Sequence, residues 1–343
     1  MDASGRKAFW DTLCSLHTYG HESARKLIEV SPWPQELCRF RAVNENSLMQ
    51  LQNNEQFFST ADYYDDPFDT FFSIDFKALQ QNGNTVTQML AQNDTGRIRD
   101  LLTTFGFGDK IDSIIQELKA TKFDIDWLKF SLKNVRRLLQ KLIYSICFCE
   151  DSLNETMWLK YADRHKGFVQ VYDFNDPDTK LCGKEPKCTE CGVAKYPPVL
   201  FPVYYSSEMY DATAYALNVL ACEVFKEKLP FLPQEVRNAL IYTASWENER
   251  ISLIKKECHQ YDREWRMLLP TPYTNRPRIK LKPQSVLIGL RTPDNERELI
   301  ISAARIAGYR KYIRWLSTMT TCSENRKSRR RNYVVHRYKR LYF

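Results

Sequence analysis

Strand-like segments separated by helical blocks of very unequal length constrain the fold of this chain more than any other feature. Short alternating or apolar runs, typical of strands, occur at 37–43, 56–59, 144–149, 168–174, 200–205, 261–269, 279–281 and 285–290. Apolar residues at helical spacing occupy 7–30, 44–53, 76–141, 155–165, 211–228, 233–258 and 295–307. A doubly wound sheet requires a regular alternation of strands and helices. The chain therefore predicts an α+β fold with a mixed or antiparallel central sheet and helical insertions.

The same patterns predict how the chain is organised. Residues 1–36 are expected to form an N-terminal helical segment, interrupted near Gly20, and residues 37–310 the main domain. That domain contains a helical insertion at 76–142 and a cysteine-rich loop at 176–198, and a basic tail follows at 311–343. With 343 residues, of which 43% are hydrophobic, the chain is long enough to bury a substantial core.

The sequence shows neither a membrane span nor a secretory signal. Its apolar runs are far shorter than the roughly 20 residues that cross a bilayer. Residues 1–10 mix Asp2, Arg6 and Lys7 with no apolar stretch. We therefore expect a cytoplasmic protein with no membrane partner. In that compartment the 10 cysteines are expected to be thiols or metal ligands rather than disulfides.

The positive charge of the chain is concentrated at its C-terminal end. Residues 326–343 contain eight Lys and Arg and no Asp or Glu, so 42 of the 50 basic residues balance the 42 acidic ones elsewhere. Tyr333, Tyr338 and Tyr342 lie among these charges, as in proteins that bind single-stranded nucleic acid. Nucleic acid is thus a possible partner through the tail, and the alternative is a solubilising terminus.

Three cysteines are candidate metal ligands. Cys182, Cys188 and Cys191 lie in one loop, and the last two have the spacing of half a zinc knuckle. A structural zinc site requires four ligands. The fourth has several candidates: Cys149, His165, Cys258 and His259. The prediction is a structural zinc ion, and the alternative is a loop with unliganded thiols.

Four motifs follow one another along the chain. They are Phe40-Arg41 with Phe57-Phe58-Ser59 and Asp65-Asp66-Pro67-Phe68-Asp69; Cys147-Phe148-Cys149-Glu150 with Met157-Trp158, Tyr161-Ala162 and Gly167-Phe168; Tyr261-Asp262-Arg263-Glu264-Trp265-Arg266; and Lys282-Pro283 with Ile288-Gly289. In this order they resemble the prokaryotic family known as domain of unknown function 2971. The resemblance covers residues 37–310, although Asp65 stands where that family usually has Asn.

The order of residues also resembles, more distantly, that of ADP-ribosyltransferases. Those enzymes place an Arg or His on an early strand, an aromatic or hydroxyl residue in mid-chain and a Glu on a late strand. The resemblance implies Arg41, Tyr161 and Glu264 as catalytic residues and NAD as a substrate. A fixed carboxylate stabilises the positive charge that develops on the ribose when nicotinamide leaves. An Arg can hold the pyrophosphate bidentately, and a Tyr face can stack on the nicotinamide ring.

The predicted nucleotide-binding residues are Arg39, Arg41, Trp158 and Arg266. Arg39 and Arg41 share one face of their strand because side chains alternate. Each assignment has a structural alternative. Trp158 and Tyr161 would pack in the core, and Glu264 and Arg266 would pair with each other or with the two early arginines.

Two functions from different classes follow from the sequence. The first is an ADP-ribosyltransferase-like enzyme that uses NAD and an unknown nucleotide or macromolecular acceptor, in phage defence or as a toxin-like effector. It requires the strands of Arg41 and Glu264 to be adjacent. The second is a nucleic-acid or protein-binding module with a zinc loop and a basic tail, and it predicts no convergent pocket near Glu264. A hydrolase built on Asp65, Asp66, Asp69 and Glu150 would need these carboxylates to converge on a metal.

Overall fold

The computed structural model describes most of the chain. The described residues are 1–17, 21–64, 66, 69–79, 95–120, 134–174, 199–217, 219–220, 246–269, 277–309, 313–316 and 338–340. The helices are α1 Ala3–Ser15, α2 His21–Val30, α3 Glu45–Gln52, α4 Thr95–Thr104, α5 Ile111–Ala120, α6 Glu155–Tyr161, α7 Glu247–Ser252 and α8 Asp294–Ile306. Residues 76–79, 134–141, 213–217 and 219–220 are also helical. Among the described helices, none combines the length and the apolarity that crossing a bilayer requires.

Fifteen strands are described, and most belong to one sheet. They are β1 Leu37–Arg41, β2 Glu55–Phe57, β3 Ser59–Thr60, β4 Phe72–Ser73, β5 Tyr144–Cys149, β6 Phe168–Tyr172, β7 Val199–Pro202, β8 Tyr204–Ser206, β9 Tyr210–Asp211, β10 Ile254–Lys256, β11 Glu264–Leu269, β12 Arg278–Lys280, β13 Ser285–Ile288, β14 Ile313–Leu316 and β15 Tyr338–Arg340. The main sheet has the order β15-β14-β13-β6-β1-β5-β11-β7, with β3 paired to β5. Its pairs are antiparallel except β13 with β14. The predicted α+β class with a mostly antiparallel sheet is confirmed.

The main sheet is forked between β1 and β5. The described pairing of these two strands is a single residue pair, Cys38 with Cys149. Beyond it, β1 continues along β6, whereas β5 pairs with β3 at Ser59 and Ser145. Strands that pair at one point and then follow different neighbours leave a gap between their edges. This gap contains the cavity described below.

Helix α6 is shorter than the sequence predicts. We expected one helix over 155–165, but α6 ends at Tyr161 because Asp163, Arg164 and His165 all have positive φ angles. The loop then passes so close to β1 that a side chain at Gly167 would overlap the carbonyl oxygen of Arg41. The early end of α6 therefore places Tyr161 next to the last residue of β1.

A second correction concerns the predicted helix over 233–258. Within the described part of that range, α7 ends at Ser252 and residues 254–256 form β10, which pairs in parallel with β8. Side chains alternate along a strand. Lys255 is buried, while its neighbour Lys256 is exposed. The local sequence missed this strand because its partner lies about fifty residues earlier in the chain.

The faces of the sheet pack on different layers. On one face, α6 covers the sheet, and its Trp158 lies edge-on to Phe40 with the two ring centroids 5.5 Å apart. The indole N–H of Trp158 donates to the carbonyl oxygen of Ser152 at 2.9 Å. On the other face, Phe148 and Trp265 pack with the apolar residues of neighbouring strands. Both layers hold the strands around the fork in place.

Candidate functional site

A cavity of about 600 Å³ occupies the fork in the sheet. Arg41 from β1, Tyr161 from the end of α6 and Glu264 from the start of β11 all line it. Its charged and imidazole-bearing residues are Arg39, Arg41, Asp66, Asp69, Lys160, Lys255, His259, Asp262 and Glu264. The structure therefore brings together the three residues that the sequence predicts to be catalytic.

The predicted adjacency of the strands that carry Arg41 and Glu264 is wrong. Strand β5 lies between β1 and β11. Glu264 pairs with Cys149, and Cys149 pairs with Cys38, so these side chains share a face. Arg39 and Arg41 then lie on the opposite face, because neighbours along a strand alternate. Residues from both faces line one cavity only because β1 and β5 separate.

One wall of the cavity is a buried cluster of charges. Lys255 Nζ lies 3.1 Å from Asp69 Oδ2 and 3.0 Å from both Asp262 Oδ2 and Glu264 Oε2. Arg266 Nε donates to Glu264 Oε1 at 2.6 Å, and a second guanidinium nitrogen pairs with Asp69. Three carboxylates and two cations leave a net charge of −1. We call these five residues the Lys255 cluster.

The cluster keeps Glu264 ionised. Burial alone would raise the pKa of Glu264, but the charges of Arg266 and Lys255 lower this pKa far below its ordinary value. Burial opposes the charge of Lys255 as well, yet Glu264 and Asp69 raise the pKa of that amine. Since Glu264 and Lys255 are each stabilised by oppositely charged partners, both stay charged. Glu264 is thus an electrostatic group and a poor proton acceptor.

Asp262 leaves one acceptor of the cluster open. Its Oδ1 is buried and has no hydrogen-bond partner among the described residues, although Oδ2 pairs with Lys255. Nearby, His259 Nε2 lies 3.2 Å from Asp66 Oδ2, and both residues line the cavity.

Burial and the charge of Glu264 raise the pKa of the Cys147 thiol to about 12. Cys147 is therefore a neutral thiol at neutral pH.

The opposite wall is cationic and aromatic. Arg39 donates to Gln56 Oε1, and Gln56 Nε2 donates to Gln170 Oε1 at 3.2 Å, so the arginine is held by a chain of buried amides. Arg41 and Lys160 line the same cavity. Tyr161 is 38% exposed. Burial and nearby carboxylates raise the pKa of Tyr161 above its ordinary range, so its hydroxyl stays protonated and can donate.

Two predicted nucleotide-binding residues lie elsewhere. Trp158 is 1% exposed and stacks on His165, with ring centroids 5.4 Å apart, in the core beneath α6. Arg266 is fully buried and pairs with Glu264, as the structural alternative proposed. Neither lines the cavity. Trp158 lies three residues before Tyr161 in α6, and Arg266 contacts Glu264 directly on the same strand.

Sequence reasoning missed Lys255 as a site residue, along with Lys160 and Asp262. Lys255 falls in a segment that resembles the continuation of a helix, so no local pattern marks it. Asp262 was within reach, because it lies two residues before Glu264 in the third motif. Acidic residues that flank a candidate catalytic carboxylate are a usable signal.

The predicted zinc ligands Cys182, Cys188 and Cys191 lie outside the described residues, as does Asp65. Most of the basic tail does too, apart from 313–316 and 338–340. Within the described ranges, no group of three or more His, Cys, Asp and Glu residues could hold a metal ion. Glu150, a candidate of the hydrolase hypothesis, accepts hydrogen bonds from Arg6 and Trp265 instead of lining the cavity.

Comparison of the chain with protein-family models, with curated proteins and with solved structures gave no match. The resemblance to domain of unknown function 2971 therefore stays a prediction that rests on four motifs. The comparisons do not support the finer prediction of an ADP-ribosyltransferase-like fold.

Proposed function

We propose that the forked cavity binds NAD and cleaves the bond between nicotinamide and ribose, as an ADP-ribosyltransferase-like enzyme does. The strands of Arg41 and Glu264 are not adjacent, so the arrangement that the sequence hypothesis required is not met. The observation that carries this proposal instead is that Arg41, Tyr161 and Glu264 line one cavity at the fork. The volume of about 600 Å³ is in the range of small-molecule sites. The alternative binding module predicts no convergent pocket near Glu264, whereas Glu264 lines this cavity.

The distribution of charge in the cavity matches that of NAD. NAD carries a positive charge on its pyridinium ring and negative charges on its pyrophosphate. The Lys255 cluster provides a wall with a net charge of −1, and Arg39 and Arg41 provide a cationic wall across the fork. Opposite charges on opposite walls would orient the dinucleotide with its nicotinamide riboside towards Glu264.

Cleavage of the bond between nicotinamide and ribose depends mainly on charged groups that the protein holds in fixed positions. When the C1′–N bond breaks, its electron pair leaves with neutral nicotinamide and positive charge develops on the ribose. The ionised Glu264 stabilises that charge, because its partners hold it in place before the reaction. The attacking hydroxyl forms the new bond to C1′ and loses its proton. Asp262 Oδ1, a buried acceptor without a partner among the described residues, can receive it.

The test is nicotinamide release from NAD by the purified chain, with water, nucleic acids and proteins offered as acceptors. We expect Glu264→Gln, Tyr161→Ala and Arg41→Ala each to lower kcat/KM by about 100-fold or more, as the loss of one charge-stabilising group does. Arg25→Ala is the matched control, because Arg25 is 81% exposed on α2 and pairs with Glu29. No release by the unaltered chain with any acceptor would overturn the proposal.

Because Glu264 also holds buried cations, its variant must be shown to be folded. Tyr161→Ala and Arg41→Ala remove side chains that are only partly buried, so they keep the test valid if Glu264→Gln unfolds the chain. The same proposal includes a role in phage defence or as a toxin-like effector. It also includes an acceptor, a nucleotide or a macromolecule, whose identity is unknown.

A further inference from the structure

A second cavity of about 520 Å³ lies beside the first. The two share Phe40, Arg41 and Tyr161 as lining residues, so these side chains form the boundary between them. The second cavity is otherwise lined by one face of α3, by the segment before it and by Phe57 of β2. A ligand longer than the first cavity would therefore pass Arg41 and enter the second.

The lining of the second cavity combines amides with flat or apolar side chains. Asn44, Asn46 and Gln50 provide the amides, and Phe57 and Met49 provide the apolar surface. Amides donate and accept at once, as the edges of nucleobases do, and aromatic or apolar faces stack on the rings. A fatty chain would leave the amides unsatisfied, whereas a flat heterocycle with donors and acceptors along its edge would not. The chemistry of the lining favours a nucleobase.

Gln50 provides an independent observation. It is 6% exposed, it lines the second cavity, and its Oε1 has no hydrogen-bond partner among the described residues. A buried acceptor without a donor is costly, so a ligand that donates to it gains specificity. The side chain is held by α3, whose N-terminus is fixed by a capping box between Asn44 and Ser47. The acceptor is thus presented from a rigid element.

We propose that the second cavity binds a nucleobase, whose ring donates to Gln50 Oε1 and whose ribose phosphate meets Arg41 at the boundary. The inference rests on the proposed function only for what occupies the neighbouring cavity. The base has two possible sources. It is either the adenine of the same NAD molecule, or the base of a separate nucleotide that accepts the ADP-ribose.

Binding of AMP, GMP, CMP and UMP, each compared with ribose 5-phosphate by isothermal titration calorimetry, tests the proposal without any reaction. At least one nucleotide should bind about tenfold or more tightly than ribose 5-phosphate. Gln50→Ala should remove most of that difference, whereas Gln52→Ala should not, because Gln52 is an exposed residue of the same helix. If Gln50→Ala does not fold, Asn46→Ala provides the test, since Asn46 lines the cavity with an exposed side chain.

Two further measurements separate the sources. If the base belongs to NAD, AMP competes with NAD, and Gln50→Ala raises the KM for NAD but not for nicotinamide mononucleotide. If it belongs to an acceptor, AMP and NAD bind together. Nucleotides that bind no better than ribose 5-phosphate, or that bind equally to the folded variants, overturn the inference. Base binding without nicotinamide release would leave this inference standing and overturn the proposed function.

Discussion

Two buried glutamates close to each other in the sequence have opposite electrostatic properties. Glu264 at the start of β11 is 5% exposed and Glu249 in α7 is 3% exposed. Glu264 lies between Arg266 and Lys255, which lower its pKa in spite of burial. Burial raises the pKa of Glu249 to about 7. A hydrogen bond to its own backbone and the charge of Arg250 lower this pKa, but by less than burial raises it. Burial makes an ionised carboxylate unfavourable, and the carboxylate stays ionised only where nearby cations compensate for this.

The two regions are joined by one guanidinium group. Arg266 pairs with Glu264 and Asp69, and its Nη1 donates at 2.6 Å to the carbonyl oxygen of Ser252, the last residue of α7. A cation at a helix C-terminus also interacts favourably with the helix dipole. Arg266 thus stabilises both the cavity wall and the helix that carries Glu249.

The largest expected effect comes from removing that shared group. Arg266→Met leaves Glu264 and Asp69 buried with Lys255 as their remaining cation, so the free energy of unfolding should fall by about 3–5 kcal/mol. Urea denaturation measures it. Arg263→Met is the matched control, because Arg263 is 58% exposed and its pair with Asp151 is 4.0 Å long; its loss should be about 1 kcal/mol or less. Equal losses in the two variants would contradict the comparison.

An intermediate effect is expected from Glu249→Gln, and it depends on pH. The pKa of Glu249 rises on folding from 4.5 to about 7, so its favourable contribution is present below pH 4.5 and is lost as the pH rises through about 7. Gln stays neutral throughout. Urea midpoints should show the variant more stable than the unaltered chain by up to about 3 kcal/mol near pH 8, but not near pH 4. A difference that does not change with pH would rule out a raised pKa.

The smallest expected effect is the change in the pH dependence of stability caused by Glu264→Gln at acidic pH, which has the opposite sign and is separate from the loss of its ion pairs with Lys255 and Arg266 at neutral pH. Because the folded pKa lies below 4.5, the contribution of Glu264 is present above that pH and is lost as the pH falls. Below about pH 4.5 the unaltered chain should lose up to about 1.4 kcal/mol per pH unit more than the variant. The same urea series, extended to about pH 3, measures this slope. Parallel slopes would mean that Glu264 is not held ionised by its partners.

Much of the fold was predictable because its signals are local. The strand-like run at 144–149 predicts β5 with the bounds observed, and the helical spacing at 44–53 predicts α3, which the structure places at Glu45–Gln52. The fork was not predictable, because it depends on which distant residues pair, such as Cys38 with Cys149. Lys255 was missed for the same reason, since β10 exists through its pairing with β8.

Three members of the candidate site were predicted, but Lys160, Lys255, Asp262 and the geometry of the site were not. Motif order identified Arg41, Tyr161 and Glu264, and the structure places all three on one cavity. Trp158 and Tyr161 have the spacing of one helix face. Because α6 ends at Tyr161, Trp158 is buried in the core whereas Tyr161 lines the cavity. Helical periodicity cannot locate that end, because three residues with positive φ terminate α6.

The close approach of the backbone at Gly167 also bears on how such a chain can evolve. A side chain at Gly167 would overlap the carbonyl oxygen of Arg41, and one at Gly289 would overlap that of His165. Three backbone segments therefore meet where only hydrogen atoms fit. Neither glycine lines either of the two cavities described, yet replacing either would displace Arg41 or the loop behind Tyr161. Mutational tolerance around this site should thus follow the backbone junction as closely as it follows the residues that touch a ligand.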